Sequence, residues 1–121
     1  MITAVHTLIY ADDAVAARAF FRDVLGWPHV DADDGWLIFR TGPSELAVHP
    51  ATEGDWSATQ QHEITLMCDD IEATVADLEG KGVRFGGAVS DTGFGLTVMM
   101  PVPGVGELML YQPLHPTAHD L

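Results

Sequence analysis

The chain has 121 residues, 47% of them hydrophobic, and its 18 acidic against 5 basic side chains give a formal net charge of −13 at pH 7. The length suits one globular domain, and the charge disfavours nucleic acid and anionic membrane surfaces, whose phosphates bind Lys and Arg. One cysteine excludes an internal disulfide, and the lack of a membrane-length apolar run or a secretory signal predicts a cytoplasmic protein.

The first half of the chain predicts a strand, a helix and three further strands. Residues 5–11 alternate in polarity and are rich in β-formers, which is typical of a strand. Asp12 and Asp13 can cap a helix over the alanine-rich residues 14–25, and Gly26 ends it. Turn-forming residues then separate three predicted strands, which are Trp27–Val30, Trp36–Arg40 and Glu45–His49.

The second half repeats this order after residues 51–61, which have no periodicity and predict a linker. A strand, a helix and three strands are predicted beyond it, at Glu63–Cys68, Asp70–Glu79, Val83–Val89, Leu96–Met100 and Glu107–Gln112. We therefore divide a single domain into module one (1–50), the linker, module two (62–113) and a tail (114–121). Such self-similarity indicates one supersecondary unit used twice.

The two copies carry a recognisable pattern. Residues 6–9 with Asp13 and residues 20–27 (FFRDVLGW) form its first half, and residues 63–71 with residues 81–83 (KGV) form its second. The chain resembles the vicinal oxygen chelate superfamily, which includes glyoxalase I, bleomycin-resistance and fosfomycin-resistance proteins, and extradiol dioxygenases. The resemblance implies an α+β fold of two βαβββ modules, whose eight strands form one curved sheet around a cup with both helices outside. It also implies a homodimer.

In this superfamily a divalent metal binds on the floor of the cup, with ligands from the first and last strands of each module. His6 lies seven residues before Asp13, and Glu63 lies seven residues before Asp70, so the resemblance implies that both are ligands. Side chains alternate along a strand, so Tyr10 shares the face of His6, and Met67 shares that of Glu63. The opposite rows, residues 7, 9 and 11 and residues 64, 66 and 68, are predicted to pack against the helices.

The two last-strand ligand positions correspond to Ala47 and Met109, neither of which can bind a hard divalent ion. Glu107 and His49 lie two residues away, on the same predicted strand faces, and a bulge could bring either into the site. We rank Glu107 first, because a carboxylate balances the charge of the ion. His62 is a further candidate if the strand register differs by one residue.

Two functions remain open, and we favour the first. The first is a metal-dependent lyase, isomerase or dioxygenase acting on a small oxygen-bearing molecule, with Zn, Ni, Mn or Fe as the ion and with Glu63 and Glu107 as catalytic residues. The second is a metal-free protein that sequesters a small aromatic or cationic molecule, like bleomycin-resistance proteins. Either function would use side chains that contact the small molecule, and the candidates are Tyr10, Met67, Phe94, Met109 and Tyr111.

Overall fold

A computed structural model describes residues 7, 9, 11–45, 47, 50–60 and 62–117 of the chain. The predicted first strand, residues 5–11, and the predicted strand Glu45–His49 lie largely outside these residues. The elements in chain order are α1 (Ala14–Ala19), a π-helix (Phe20–Val24), β1 (His29–Asp31), β2 (Leu37–Phe39), β3 (Thr52–Glu53), β4 (Trp56–Ser57), β5 (Thr65–Met67), α2 (Ile71–Gly80), β6 (Ser90–Asp91), β7 (Gly95–Val102) and β8 (Gly106–Pro113).

Both helices begin at an aspartate that caps the first turn. The Asp13 carboxylate accepts a hydrogen bond of 2.9 Å from the Ala16 amide, and the Asp70 carboxylate accepts one of 3.0 Å from the Ala73 amide. These caps satisfy amide groups that have no partner inside the helix. The helices agree with the predicted bounds, and their equivalent caps agree with the internal repeat.

The strands form three sheets among the described residues. β1 pairs with β2, and β3 pairs with β4, in two antiparallel ribbons. The largest sheet has four strands in the order β5-β8-β7-β6, in which only β5 and β8 are parallel. The described strands are thus divided into sheets of two, two and four, and the continuous eight-stranded sheet stays a prediction.

Two segments differ from the sequence-based expectation. The predicted strand Val83–Val89 is wrong, because all of these residues are described and the strand in this region is β6, at Ser90–Asp91. Gly86 and Gly87 explain the difference, since glycine disfavours the extended strand and provides no side chain to pack. The predicted linker also differs, because two of its segments pair as the short strands β3 and β4. Gly54 adopts a positive φ of 61° and allows the tight turn between them.

The hydrophobic core lies between the two helical segments and one face of the four-stranded sheet. Phe20 and Phe21 of the π-helix and Ile71 and Leu78 of α2 are buried against this face. The sheet contributes buried side chains at Val98, Met100, Val102 and Leu110. The core therefore includes side chains from both modules. No helix in the described part of the chain is long and apolar enough to cross a membrane.

One backbone contact also joins the modules. The Asp13 amide, at the start of α1, donates a hydrogen bond of 3.3 Å to the Gly104 carbonyl in the turn between β7 and β8. Gly104 has a φ of 74°, and a Cβ atom there would lie 2.6 Å from the Asp13 Cβ and 2.9 Å from the Asp13 Cα. Glycine therefore allows both the turn and the close approach of α1.

Candidate functional site

The register of the four-stranded sheet separates its core face from a second face, which we call the open face. Paired residues point to the same side of a sheet, and neighbours along a strand point to opposite sides. Met109 pairs with Thr65 of β5 and with Met99 of β7, and none of the three belongs to the core cluster. By the same parity the open face consists of Thr65, Met67, Ser90, Gly95, Thr97, Met99, Pro101, Glu107, Met109, Tyr111 and Pro113.

Tyr111 lies at one end of the open face, beside Met67 and Thr97. Its side chain is buried, with its ring centroid 5.9 Å from that of Phe94 and 6.2 Å from that of His115. Burial raises the pKa of the Tyr111 phenol, and the charge of Glu45 and a hydrogen bond to that carboxylate raise it further. The phenol therefore stays protonated at neutral pH and donates a hydrogen bond to the carboxylate of Glu45, a residue of module one.

Backbone contacts support the position of the Tyr111 ring. The Leu114 amide donates a hydrogen bond of 2.9 Å to the Phe94 carbonyl, so the chain after β8 lies against the turn before β7. A Cβ atom at Gly95 would lie 2.9 Å from the Tyr111 Cδ2 atom and 2.8 Å from the Gln112 carbonyl oxygen. Glycine at position 95 thus leaves space for the tyrosine ring.

A cavity of about 370 Å³ adjoins the open face at the β6–β7 edge. It is lined by Gly86, Gly87, Ala88, Ser90, Thr97, Val98, Met99 and Glu107. Thr97 is only 7% exposed, whereas Glu107 is exposed. A larger hollow of about 570 Å³ lies between α2 and residues 83–89, on the core side of the sheet, and contains none of the predicted site residues.

The structure places some of the predicted site residues and does not describe others. Glu107, Met67, Met109 and Tyr111 lie on the open face, and Phe94 contacts the Tyr111 ring. Glu63 and His62 are exposed and precede β5. His6, Tyr10 and His49 lie outside the described residues, so their predicted roles stay predictions.

The opposite row of β5 agrees with the predicted packing. Leu66 and Cys68 pack against the core cluster. The Cys68 thiol donates a weak hydrogen bond of 3.6 Å to the Tyr111 carbonyl, and burial raises the pKa of this thiol. Cys68 is therefore mainly protonated at neutral pH, which agrees with its expected role as a small packing residue.

The described residues do not by themselves form a metal centre. Within this part of the chain, no three His, Cys, Asp or Glu side chains are placed to hold an ion. Met109 lies on the open face, near the predicted floor, but its thioether is a soft ligand suited to ions such as Cu(I). The predicted site for Zn, Ni, Mn or Fe also uses His6 and His49, which lie outside the described residues, so this site stays a prediction.

Three residues near the site were not predicted as members of it. Thr97 could have been found by pairing the last two predicted strands as a hairpin, which places it opposite Tyr111. Glu45 occupies the same place in module one as Glu107 in module two, so the internal repeat contains a signal for it. His115 lies in the polar tail, and no sequence pattern indicates that it contacts Tyr111.

Known structures resemble the chain along nearly its whole length. Lactoylglutathione lyase from Agrobacterium tumefaciens is 21% identical, with a TM-score of 0.62, and the match covers 92% of this chain and 94% of the lyase. TnmS3, an antibiotic binding protein from Streptomyces sp. CB03234, is 23% identical, with a TM-score of 0.62 and coverage of 93% and 97%. At these identities the likeness shows the fold alone.

A third similar structure belongs to a superfamily member from Sphaerobacter thermophilus, which is 16% identical, with a TM-score of 0.56 and coverage of 92% and 98%. None of the curated proteins compared with the chain matches it. The sequence model of the Glyoxalase/Bleomycin resistance protein/Dioxygenase superfamily matches residues 3–111. The match includes both modules and nearly all of the described sheet. The chain therefore belongs to the glyoxalase/bleomycin resistance protein/dioxygenase superfamily.

Proposed function

We propose that the protein binds a small organic molecule on the open face and holds it on thioether and aromatic side chains without a metal ion. One observation carries this proposal. The half-buried Met67 and Met109 and the exposed Met99 lie on one face, in three adjacent strands, with Tyr111 at its end. Methionine side chains are flexible and polarisable, so they adapt to ligands of different shape and make favourable contacts with aromatic rings.

The surrounding side chains favour a neutral or cationic ligand. Glu45 hydrogen-bonds the Tyr111 phenol, and Glu107 lies on the same face as the three methionines. The chain as a whole has a formal net charge of −13. An anionic ligand would be repelled by these carboxylates, whereas a cation or a polarisable ring would be attracted. The comparison with TnmS3, an antibiotic binding protein, supports a binding function.

A metal-dependent enzyme is the second candidate, because Glu107 lies on the open face at the wall of a cavity. In this alternative, His6, Glu63, Glu107 and His49 would hold the ion. A divalent ion would supply Lewis acidity to two neighbouring substrate oxygens, and Glu63 or Glu107 would move a proton. The comparison with a lactoylglutathione lyase supports this alternative, as a lyase, isomerase or dioxygenase.

Metal analysis separates the two candidates. The untagged protein, purified without chelator, should contain much less than one divalent ion per chain if it is a metal-free binder. Zinc, nickel, manganese and ferrous ions should then leave the melting temperature unchanged, since a ligand that binds only the folded state raises stability. About one ion per chain, or a clear thermal shift with one of these metals, would support the enzyme instead.

A matched pair of variants tests where the ligand binds. A panel of aromatic and cationic compounds, including bleomycin, is screened by thermal shift, and the affinity of each hit is measured by calorimetry. Met99→Lys places a charge on the open face, where Met99 is 41% exposed, and should weaken binding at least tenfold. Val15→Lys adds the same charge at a 75% exposed position of α1 and should not. Equal affinities for the two variants would place the ligand elsewhere.

A further inference from the structure

The wall of the open-face cavity contains a buried hydroxyl group. Thr97 is 7% exposed and lines the cavity, and its side chain has no hydrogen-bond partner among the described residues. Leaving a buried polar group unpaired costs free energy, so such groups usually have a partner. A threonine hydroxyl can donate one hydrogen bond and accept others. The cavity therefore offers Thr97 a place where a ligand can supply the missing partner.

A carboxylate lies at the other end of the same cavity. Glu107 pairs with Pro101, which is four residues from Thr97 along β7. At roughly 3.3 Å per residue, the backbone positions of Pro101 and Thr97 are about 13 Å apart. Among the described residues that line the cavity, none is Lys, Arg or His, so the charge of Glu107 is not neutralised within it.

An apolar side chain lies between these two polar groups. Met99 is two residues from both Thr97 and Pro101 on the same face of β7, and it also lines the cavity. The wall thus presents, in order, a hydroxyl, a thioether and a carboxylate. A ligand that matches this order has a polar group at each end and an apolar segment in the middle.

We propose that this cavity binds an elongated amine, with its protonated nitrogen donating to the Glu107 carboxylate, its apolar chain on Met99, and a hydroxyl or carbonyl group hydrogen-bonded to Thr97. The proposal rests on the proposed binding function, since the cavity adjoins the open face and shares Met99 with it. The polar part of the ligand is thus an amine. The amine could be the whole ligand or a side arm of a larger molecule, because both present the same groups.

The test uses short probes that differ in one group at a time. The full-length protein is titrated at pH 7 with 6-aminohexan-1-ol, 1,6-hexanediol, hexylamine and 6-aminohexanoate, and binding is followed by NMR. The amino alcohol should bind roughly tenfold more tightly than the diol, because a charge-assisted hydrogen bond is about twice as strong as a neutral one. It should also bind more tightly than the aminohexanoate, because the carboxylate of that probe is repelled by the net negative charge of the protein.

Two variants assign the ends of the probe. Glu107→Gln, at an exposed position, should remove the preference for the amino alcohol over the diol. Thr97→Val keeps the shape of the side chain and should weaken the amino alcohol about threefold or more, while leaving hexylamine unchanged because it has no group for Thr97. A spectrum of each variant with unchanged dispersion shows that the fold is intact.

Either of two results would overturn the proposal: equal binding of the diol and the amino alcohol by the unmodified protein, or an unchanged preference in Glu107→Gln. A Thr97→Val variant that binds both amines as before would remove Thr97 from the site and would also contradict it. These failures are distinct from failure of the proposed function. If aromatic ligands bind and Met99→Lys weakens them while the amine probes do not bind, the open face is a binding site and the amine cavity is wrong.

Discussion

The contact between α1 and the turn after β7 gives a sharp test of how the two modules are joined. We predict that Gly104→Ala destabilises the protein much more than Gly42→Ala. Both glycines have a positive φ, 74° at Gly104 and 77° at Gly42, so an alanine suffers a similar backbone penalty at either position. The surroundings differ, because a Cβ atom at Gly42 would have no neighbour within 4 Å, whereas one at Gly104 would overlap Asp13.

The expected magnitudes follow from these two effects. The left-handed conformation costs an alanine about 1 kcal/mol, which should be the whole effect at Gly42. At Gly104 the overlap with the Asp13 backbone adds about 1–3 kcal/mol, typical of forcing extra atoms into a packed contact. For a chain of this size about 1 kcal/mol corresponds to roughly 4 °C in melting temperature. We therefore expect a loss of about 4 °C for Gly42→Ala and about 8–16 °C for Gly104→Ala.

Thermal unfolding followed by circular dichroism measures both values, and urea unfolding checks that the slope m is unchanged. Equal losses for the two variants would refute the reasoning, because the Asp13 backbone would then have space for the added methyl group. The arrangement of α1 on the β7–β8 turn would have to differ from the one described.

Three further predictions concern single side chains. Because the folded state raises the pKa of Tyr111 above its ordinary value of 10.0, the neutral phenol stabilises the fold below pH 10, and this contribution is lost as the pH rises through the raised pKa. Urea unfolding between pH 8 and pH 11 should therefore show a steeper loss of stability for the unmodified protein than for Tyr111→Phe, and parallel curves would contradict this assignment. Asp70→Ala removes the cap of α2 and should lower the unfolding free energy by about 1 kcal/mol, whereas Asp69→Ala should leave it nearly unchanged. Similar losses for the two variants would show that the cap does not cause the effect. If the protein does bind a divalent ion, Glu107→Gln should reduce its metal content sharply without lowering the melting temperature, and unchanged content would exclude Glu107 as a ligand.

Much of the local structure could be predicted from the sequence because its signals are local. Asp13 caps its helix as predicted, and Asp70, predicted as the first helical residue, is the equivalent cap of the second helix. Capping is a local signal, since it needs only an aspartate and the amide groups that follow it. The internal repeat indicated the superfamily, and the match to residues 3–111 confirms it. Strand parity placed Met67 on the open face and Cys68 against the core, because alternation along a strand depends only on the order of residues.

The site itself depended on contacts between residues far apart in the chain. The pairing of β7 with β8 places Thr97 beside Tyr111, and tertiary packing brings Glu45 of module one to the phenol of module two. The Glu45 contact does not follow from spacing along the chain, because the packing of the whole core sets how the modules approach each other. The Thr97 contact follows only once the last two strands are paired in the correct register, which spacing alone does not fix. The sequence by itself thus determined the superfamily, the helices and the alternation of side chains along β5. Only the tertiary structure decided that Thr97 and Glu107 line one cavity. The two residues lie on different strands, so they can line the same cavity only when those strands are packed side by side.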